Sequence, residues 1–548
     1  MPHKPESKYD PKLKVWSGGE RSNYFAPHLS IGEIIFRELE RHPKLIAQIS
    51  ATEKTVLTRE EVRFNAMRVA THMRGLGLKQ CDIVGIIARN TTHLVAVAYA
   101  CFFNGMPFHS LNISYEQDTI EKLLSITRPS LIFCDGDEYE RVLAATEHIK
   151  LDTTIITMRN HPSGSLRIQD ILITPIEDNF RPARLEQGPD QTLAILCSSG
   201  TTGVPKAVTF TNSQQILWSC TPMTTDVVQY SHSTLDWFSG LSVCINAGVF
   251  STTSIIADNK YDPAFLCRII EEYKITFLVQ SPSQMAMLVS CPEFDASDLS
   301  SIRHYVYGGT ACSVEMQHRM RRRLKQADCL VFSYNLTEMN SLGCLNLHFD
   351  EKPNSVGRPV KGIRVKIINE KGEALGPSAV GEVCFYSGQH WSGYYGNPEE
   401  TRIMVDSQSW LHTGDMGYMD PDGFLYLVDR KKDMLKYQGI MYYPSEIERV
   451  ISQIPDVVEV CVFGVWDEVN GDEAAASVVK KPGTQLSAQD VVKFVKERIG
   501  AKYKQLNAGA IIVEDLVRSP NGKTHRVATK AHFLEVTNRN RTQDSWFK

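Results

Sequence analysis

Nine consecutive residues, Ser198-Ser199-Gly200-Thr201-Thr202-Gly203-Val204-Pro205-Lys206, hold the densest run of potential chemistry in this 548-residue chain. They follow Leu193-Ala194-Ile195-Leu196-Cys197, an apolar run short enough for a buried strand. Two glycines and the hydroxyl side chains leave backbone N–H groups free to donate, and Lys206 adds a cation. A loop of this kind can wrap a polyphosphate, because glycine permits close approach and N–H, O–H and ammonium groups all bind anionic oxygen. The same composition suits a solvent-exposed hairpin turn, since Gly, Ser, Thr and Pro are ordinary turn residues. The loop lacks the Gly-Lys-Ser/Thr ending of a Walker loop, so kinase and GTPase readings lose their support.

Other stretches are weaker alone. Asp415, in Trp410-Leu411-His412-Thr413-Gly414-Asp415, reads as a turn carboxylate, and Lys523, in Pro520-Asn521-Gly522-Lys523, as a solvated loop lysine. The charged run Arg430-Lys431-Lys432-Asp433 is equally a solvated linker or a hinge.

The elements that must position these residues alternate. A capping box at Thr58 and Glu61 opens a helix with Val62, Ala66, Val69, Ala70 and Met73 at helical spacing, closed by Gly75. Strands near 82–87, 131–133 and 154–156 interleave with helices near 93–103 and 138–148. After the loop, strands near 253–256, 275–279, 304–307 and 330–334 interleave with helices at 263–273, 282–289 and 314–325. That rhythm predicts two α/β lobes with largely parallel sheets. From about Gly357 to Val428, short alternating strands between Gly-rich turns predict a β-rich subdomain. The remainder, with helices at 445–453 and 488–498 and strands near 457–465 and 475–479, is long enough for a small α+β domain. The expected fold class is therefore α/β, with an N-terminal domain over 1–430 and a small α+β C-terminal domain over 431–548; that the latter is mobile is implied only by the family resemblance described below. Residues 1 to about 30 are expected to lie as an arm on the surface.

Composition excludes several classes. With 42% hydrophobic and 22% charged residues the chain is an ordinary globular protein, and a net charge of -4 gives no broad case for nucleic acid. Thirteen cysteines without a C-x-x-C pair indicate neither a disulfide framework nor a zinc site. Leu94 to Phe103, the longest apolar run, is far below the roughly 18 residues of a membrane span. No secretory signal or terminal Ser-Lys-Leu is present, so a cytoplasmic location is expected, with the two sequons at Asn90 and Asn112 as chance matches.

Read together and in order, the loop, Ser333-Tyr334-Asn335-Leu336-Thr337-Glu338, the stretch from Trp410 through Asp415 and Gly423-Phe424 to Asp429-Arg430, and Pro520-Asn521-Gly522-Lys523 resemble the adenylate-forming family. That family contains acyl-CoA synthetases, 4-coumarate–CoA ligases and beetle luciferases, and the resemblance spans about residues 30 to 535. It implies a two-step ligase: a carboxylate attacks the α-phosphate of ATP, then coenzyme A displaces AMP from the acyl-adenylate. A medium- or long-chain fatty acid or an aryl-propenoic acid is the implied substrate. Luciferase-like oxygenation and a binding-only pseudoenzyme are the alternatives.

The resemblance also implies roles. Ser198, Ser199, Gly200, Thr201, Thr202, Gly203 and Lys206 would hold the outer phosphates, and Tyr334 would lie on the adenine. Thr337 would contact the α-phosphate, and Glu338 with Thr201 would hold Mg²⁺. Asp415 and Arg430 would bind the ribose, with Lys436 as a further nucleotide contact. Lys523 would favour the adenylation transition state by standing between two anions. Lys432 would be the hinge, Gln438 and Gly439 would line the coenzyme A path, and Ser239, Gly308 and Gly309 would border the acyl pocket. Four positions depart from the usual pattern: Ala207 and Asn335 stand where glycine is common, Gln438 where lysine is common, and Ser239 where an aromatic residue or histidine is common.

Overall fold

The computed structural model describes residues 6–21, 24–26, 28–198, 205–218, 223–310, 312–325, 330–518 and 523–538. The chain divides into two compact units. One comprises Met1–Tyr9, Trp16–Val365 and Phe385–Leu411, the other Asp10–Val15, Lys366–Cys384 and His412–Lys548.

The first unit contains the two expected α/β lobes. Its seven-stranded sheet runs Lys206–Thr211, Thr192–Ser198, Phe108–Ser110, Val84–Ile87, Leu131–Cys134, Thr154–Thr157, Leu166–Arg167. Its pairs are parallel except for the outer hairpin of Thr192–Ser198 with Lys206–Thr211. The central strands Val84–Ile87 and Leu131–Cys134 are buried at every residue, as strands covered on both faces must be. The nine-stranded sheet places Leu330–Tyr334, His304–Gly308, Phe277–Gln280, Val228–Ser231, Thr253–Ile256 and Ile46–Ser50 side by side and parallel. Thr58 caps the helix Arg59–Gly75 through the expected box, and Val62, Ala66, Val69, Ala70 and Met73 are all buried.

The second unit holds most of a six-stranded sheet that includes Arg364–Ile368, Gly381–Tyr386, Leu411–Met419 and Leu425–Arg430. It also holds a five-stranded sheet of Ile440–Tyr442, Leu435–Tyr437, Gly471–Lys480, Val457–Asp467 and Gly509–Val513, packed with the helices Pro444–Ile451 and Ala488–Arg498.

The N-terminal arm is largely exposed, as expected, and parts of it form strands. Lys8–Asp10 and Val15–Ser17 join the six-stranded sheet, and Trp16 is buried, with its ring 4.6 Å from that of Tyr9. Three-residue strands are too short to show alternation, so they are not legible in the sequence.

Candidate active site

In the first unit the strands Thr192–Ser198 and Lys206–Thr211, which flank the Gly/Ser/Thr-rich stretch, pair with each other. Ser198 pairs with Lys206 and Cys197 with Ala207 across antiparallel strands. Ser199, Gly200, Thr201, Thr202 and Gly203 lie outside the described residues. Ala207 sits inside the second strand, buried and without positive φ, so glycine is not required there. Lys206 donates from Nζ to Glu400 Oε2 at 2.6 Å and stands 5.1 Å from the centroid of the Tyr394 ring. Both charges are partly exposed, so the pair is worth only about 0.2–1 kcal/mol. A polyphosphate, with several charges, can take Lys206 from it.

Tyr394 links two motifs. Its hydroxyl donates to Glu338 Oε1 at 2.8 Å while its ring lies beneath Lys206. Glu338 is 8% exposed and belongs to the single turn Thr337–Met339 that follows the strand Leu330–Tyr334. Tyr334, also buried, stands 5.6 Å ring to ring from Phe385. Asn335 has no positive φ; the left-handed residue of this segment is Asn340, at φ 54°. The asparagine at 335 is therefore tolerated on backbone grounds.

Around the expected acyl pocket, Ser239 donates to Ser233 Oγ at 2.7 Å. Phe238 stacks on Phe210 at 6.0 Å and packs against the core, so it does not fill the room left by Ser239. Gly308 is held close to its neighbour strand, where a Cβ would fall 2.1 Å from the Ser333 carbonyl oxygen, and Gly309 has φ 95°. Both glycines answer to the backbone first.

In the second unit Asp415 and Arg430 face each other across the hairpin of Leu411–Met419 and Leu425–Arg430. Arg430 Nε lies 2.5 Å from Asp415 Oδ1. Gly414, at φ 67°, makes the kink that lets Thr413 Oγ1 accept from the Asp415 N–H at 3.0 Å while donating to the Val383 carbonyl at 2.7 Å. Glu382, on the adjacent strand, accepts from Gly414 N–H at 3.3 Å and from Lys431 Nζ at 2.9 Å, with His412 Nδ1 3.9 Å away. His412 and then Lys431 hold its carboxyl down at about 2. One buried carboxylate thus grips the strands that carry Asp415 and Arg430.

Lys432 lies in the turn Lys431–Asp433, where burial lowers its pKa. Arg526 reaches Asp429 at 3.8 Å, Asp433 at 3.7 Å and Glu448 at 3.1 Å, so it touches both sides of that turn. Lys436 is exposed on the strand Leu435–Tyr437, its N–H donating to Asp472. Gln438 at φ 46° and Gly439 at φ 85° form the two-residue turn of a tight hairpin, the φ signs of a type I′ turn. Gln438 is held there by bonds to Asn470, 2.7 Å from both N and Nε2. A Cβ on Gly439 would meet nothing within 4 Å, so its positive φ is what calls for glycine in this unit. Lys523 follows residues outside the description, Pro520, Asn521 and Gly522, at a loop base closed by the Arg518–Thr524 bridge and the bond from His525 N to Val517 O at 2.7 Å.

Sequence reasoning missed Tyr394, Glu400, Glu382 and Arg526. Their signal lies in partners far along the chain, which spacing within a motif does not show.

The arrangement defines an α/β protein whose candidate site motifs are divided between two units. The AMP-binding enzyme family matches residues 35–395, and the AMP-binding enzyme C-terminal domain matches 446–523. The chain belongs to this adenylate-forming family. It is 27% identical to a luciferin 4-monooxygenase of Photuris pensylvanica, over 92% of this chain and 95% of that one. It is 25% identical to a 4-coumarate–CoA ligase of Humulus lupulus, over 93% and 95%. Among solved structures, an anthranilate–CoA ligase in complex with anthranoyl-AMP superposes with a TM-score of 0.84 at 21% identity, covering 93% of this chain and 98% of that one. ATP-bound MatB from Rhodopseudomonas palustris gives 0.81 at 22%, covering 93% and 100%. Among the described residues no helix is long and apolar enough to cross a membrane.

Proposed function

We propose that the protein is an AMP-forming acid–thiol ligase that converts a carboxylic acid to its coenzyme A thioester through an acyl-adenylate. The observation that carries this reading is the buried Asp415, already paired with Arg430 and braced by Thr413, within a chain of the adenylate-forming family. Two carboxylate oxygens suit two ribose hydroxyls. In the first step the carboxylate oxygen bonds to the α-phosphorus and pyrophosphate leaves. Lys206 would exchange Glu400 for the departing phosphates, Tyr334 would cover adenine, and Thr337 would donate to the α-phosphate. Lys523 would place an ammonium between the two approaching anions, where charge builds in the transition state. In the second step the coenzyme A sulfur attacks the acyl carbon and AMP leaves, with Gln438 and Gly439 beside the thiol path and Lys432 as the hinge of a domain boundary at 430/431.

Glu338 suits Mg²⁺: Tyr394 donates to one oxygen, and no second donor among the described residues reaches the carboxylate. Magnesium commonly takes one or two carboxylates with phosphate oxygens, and bound there it would neutralise charge on the leaving phosphates. Thr201, the other expected ligand, is outside the described residues.

The test is pyrophosphate release dependent on both ATP and acid, followed by thioester formation on adding coenzyme A. Folded protein that releases no pyrophosphate across fatty and aromatic acids refutes the proposal. The luciferase alternative predicts ATP-dependent light from beetle luciferin, which a photon counter reads directly.

A further inference from the structure

Glu400, the carboxylate that holds Lys206, is delivered by a segment bound to the lysine's own strand. Tyr395 N donates to the Ala207 carbonyl at 2.7 Å, and Val208 bridges Tyr394. Thr209 N donates to the Gly393 carbonyl at 3.2 Å and Thr209 Oγ1 to the same oxygen at 2.6 Å. The helix Pro398–Met404 follows, and its cap Asn397 accepts from Glu400 N at 3.2 Å. Thr401 Oγ1 accepts from Tyr394 N at 2.9 Å and donates to the Asn397 carbonyl at 2.9 Å. Backbone bonds therefore place Glu400 against Lys206, although 194 residues separate the two.

The pair can open. Its side chains are 26% and 39% exposed, and at such exposure the paired state is favoured only about 1.4- to 5-fold. Lys206 is then free of Glu400 for about 15–40% of the time. The Tyr394 ring stands 5.1 Å from the ammonium and carries Glu338 on its hydroxyl. A lysine that leaves Glu400 thus stays beside the carboxylate proposed for the metal. A ligand that needs the free lysine binds more weakly in proportion to that free fraction, here by about two- to sixfold.

We infer that Glu400 is an internal competitor for the outer phosphates. It holds Lys206 while the site is empty, yields it to ATP, and reclaims it as pyrophosphate leaves. The carboxylate thereby loosens ATP and pyrophosphate together and leaves AMP, which has neither outer phosphate, untouched. Pyrophosphate that is held less tightly departs sooner after the first step, and adenylation reverses less. Glu400 touches no reacting atom; it acts through Lys206, as a positioning residue. This rests on one part of the ligase reading, the assignment of Lys206 to the outer phosphates.

Calorimetric titration with ATP, pyrophosphate and AMP, at fixed magnesium, tests this without turnover. Glu400→Gln keeps the side chain's shape and the backbone bond to Asn397, and removes the charge. It should bind ATP and pyrophosphate about two- to sixfold tighter than wild type, and AMP equally. The gain should shrink as salt rises from about 0.05 to about 0.5 M, because screening weakens the wild-type pair. Lys206→Met should weaken ATP and pyrophosphate, and adding Glu400→Gln to it should change little, since the competitor then has nothing to hold. Unchanged or weaker binding in Glu400→Gln, tightening that extends equally to AMP, or the same tightening without Lys206 each overturns the inference. So does wild-type protein that binds neither ATP nor pyrophosphate. Pyrophosphate release over a panel of acids decides the ligase reading separately. If no acid yields pyrophosphate that reading fails, and the titrations still decide the role of Glu400.

Discussion

Glu382 shows how one side chain carries a site whose named residues are elsewhere. It accepts from Gly414 N–H and Lys431 Nζ, and so ties the approach to Asp415 to the residue after Arg430. Replacing it by glutamine keeps the shape and removes the charge. The expected loss is about 1.5–3 kcal/mol, the usual worth of hydrogen bonds to a charged group. The pH dependence has a definite sign. The folded carboxyl is held at about 2, below the roughly 4.3 of an unfolded glutamate. Its stabilisation is therefore present above about pH 4.5 and disappears as pH falls towards 2. Thermal unfolding of wild type and Glu382→Gln should differ most near neutrality and converge in acid. A constant gap from pH 7 to pH 3 would show that charge is not what Glu382 contributes. A positioning role adds a kinetic mark: KM for ATP should rise more than kcat falls.

At the level of elements, most of the fold was legible. The helices Arg59–Gly75, Pro263–Tyr273 and Ala488–Arg498 announce themselves by caps, proline at the first turn and apolar spacing. The strands Lys8–Asp10 and Val15–Ser17 do not, because three residues carry no period. The site divides the same way. Asp415 and Arg430 could be named from their motifs, whereas Tyr394 acquires meaning only when folding sets it against both Lys206 and Glu338. Arg526 is the clearest case of chemistry made by elements meeting. It begins the helix Arg526–Val536 and sets its guanidinium against Glu448 on the helix Pro444–Ile451 and against Asp429 and Asp433 around the turn at Lys432. Burial pushes the Glu448 carboxyl up, so that carboxylate depends on its partner. Both side chains are about one-fifth exposed, so losing the cation from one side costs less than the roughly 3–5 kcal/mol of a fully buried pair. Arg526→Ala should therefore lower the melting temperature of the second unit far more than Arg526→Lys. Equal melting of the two variants would show that charge pairing is not what holds these elements.

For the whole molecule, the motifs are divided between units. The loop ending in Lys206 and the Tyr334–Glu338 segment belong to the first, and Asp415, Arg430, Gly439 and Lys523 to the second. A two-step reaction gives this division a test, because the steps ask for different groups of the second unit. Adenylation joins two anions and needs a cation at the point of contact, which the proposal assigns to Lys523. Thioester formation joins a sulfur to an acyl carbon and makes no such demand. Lys523→Ala should accordingly depress pyrophosphate release by about 10²–10³, the usual effect of removing one charge-stabilising donor. Binding of ATP, and thioester formation from supplied acyl-adenylate, should stay within a few-fold of wild type. Gly439→Ala should do the reverse: alanine at φ 85° strains the hairpin turn by about 1–2 kcal/mol and disturbs the thiol path while adenylation continues. Both half-reactions can be followed separately, the first by pyrophosphate and the second by loss of free thiol. If each variant slowed the two steps equally, the assignment of Lys523 to one step and Gly439 to the other would fail, even for a working ligase.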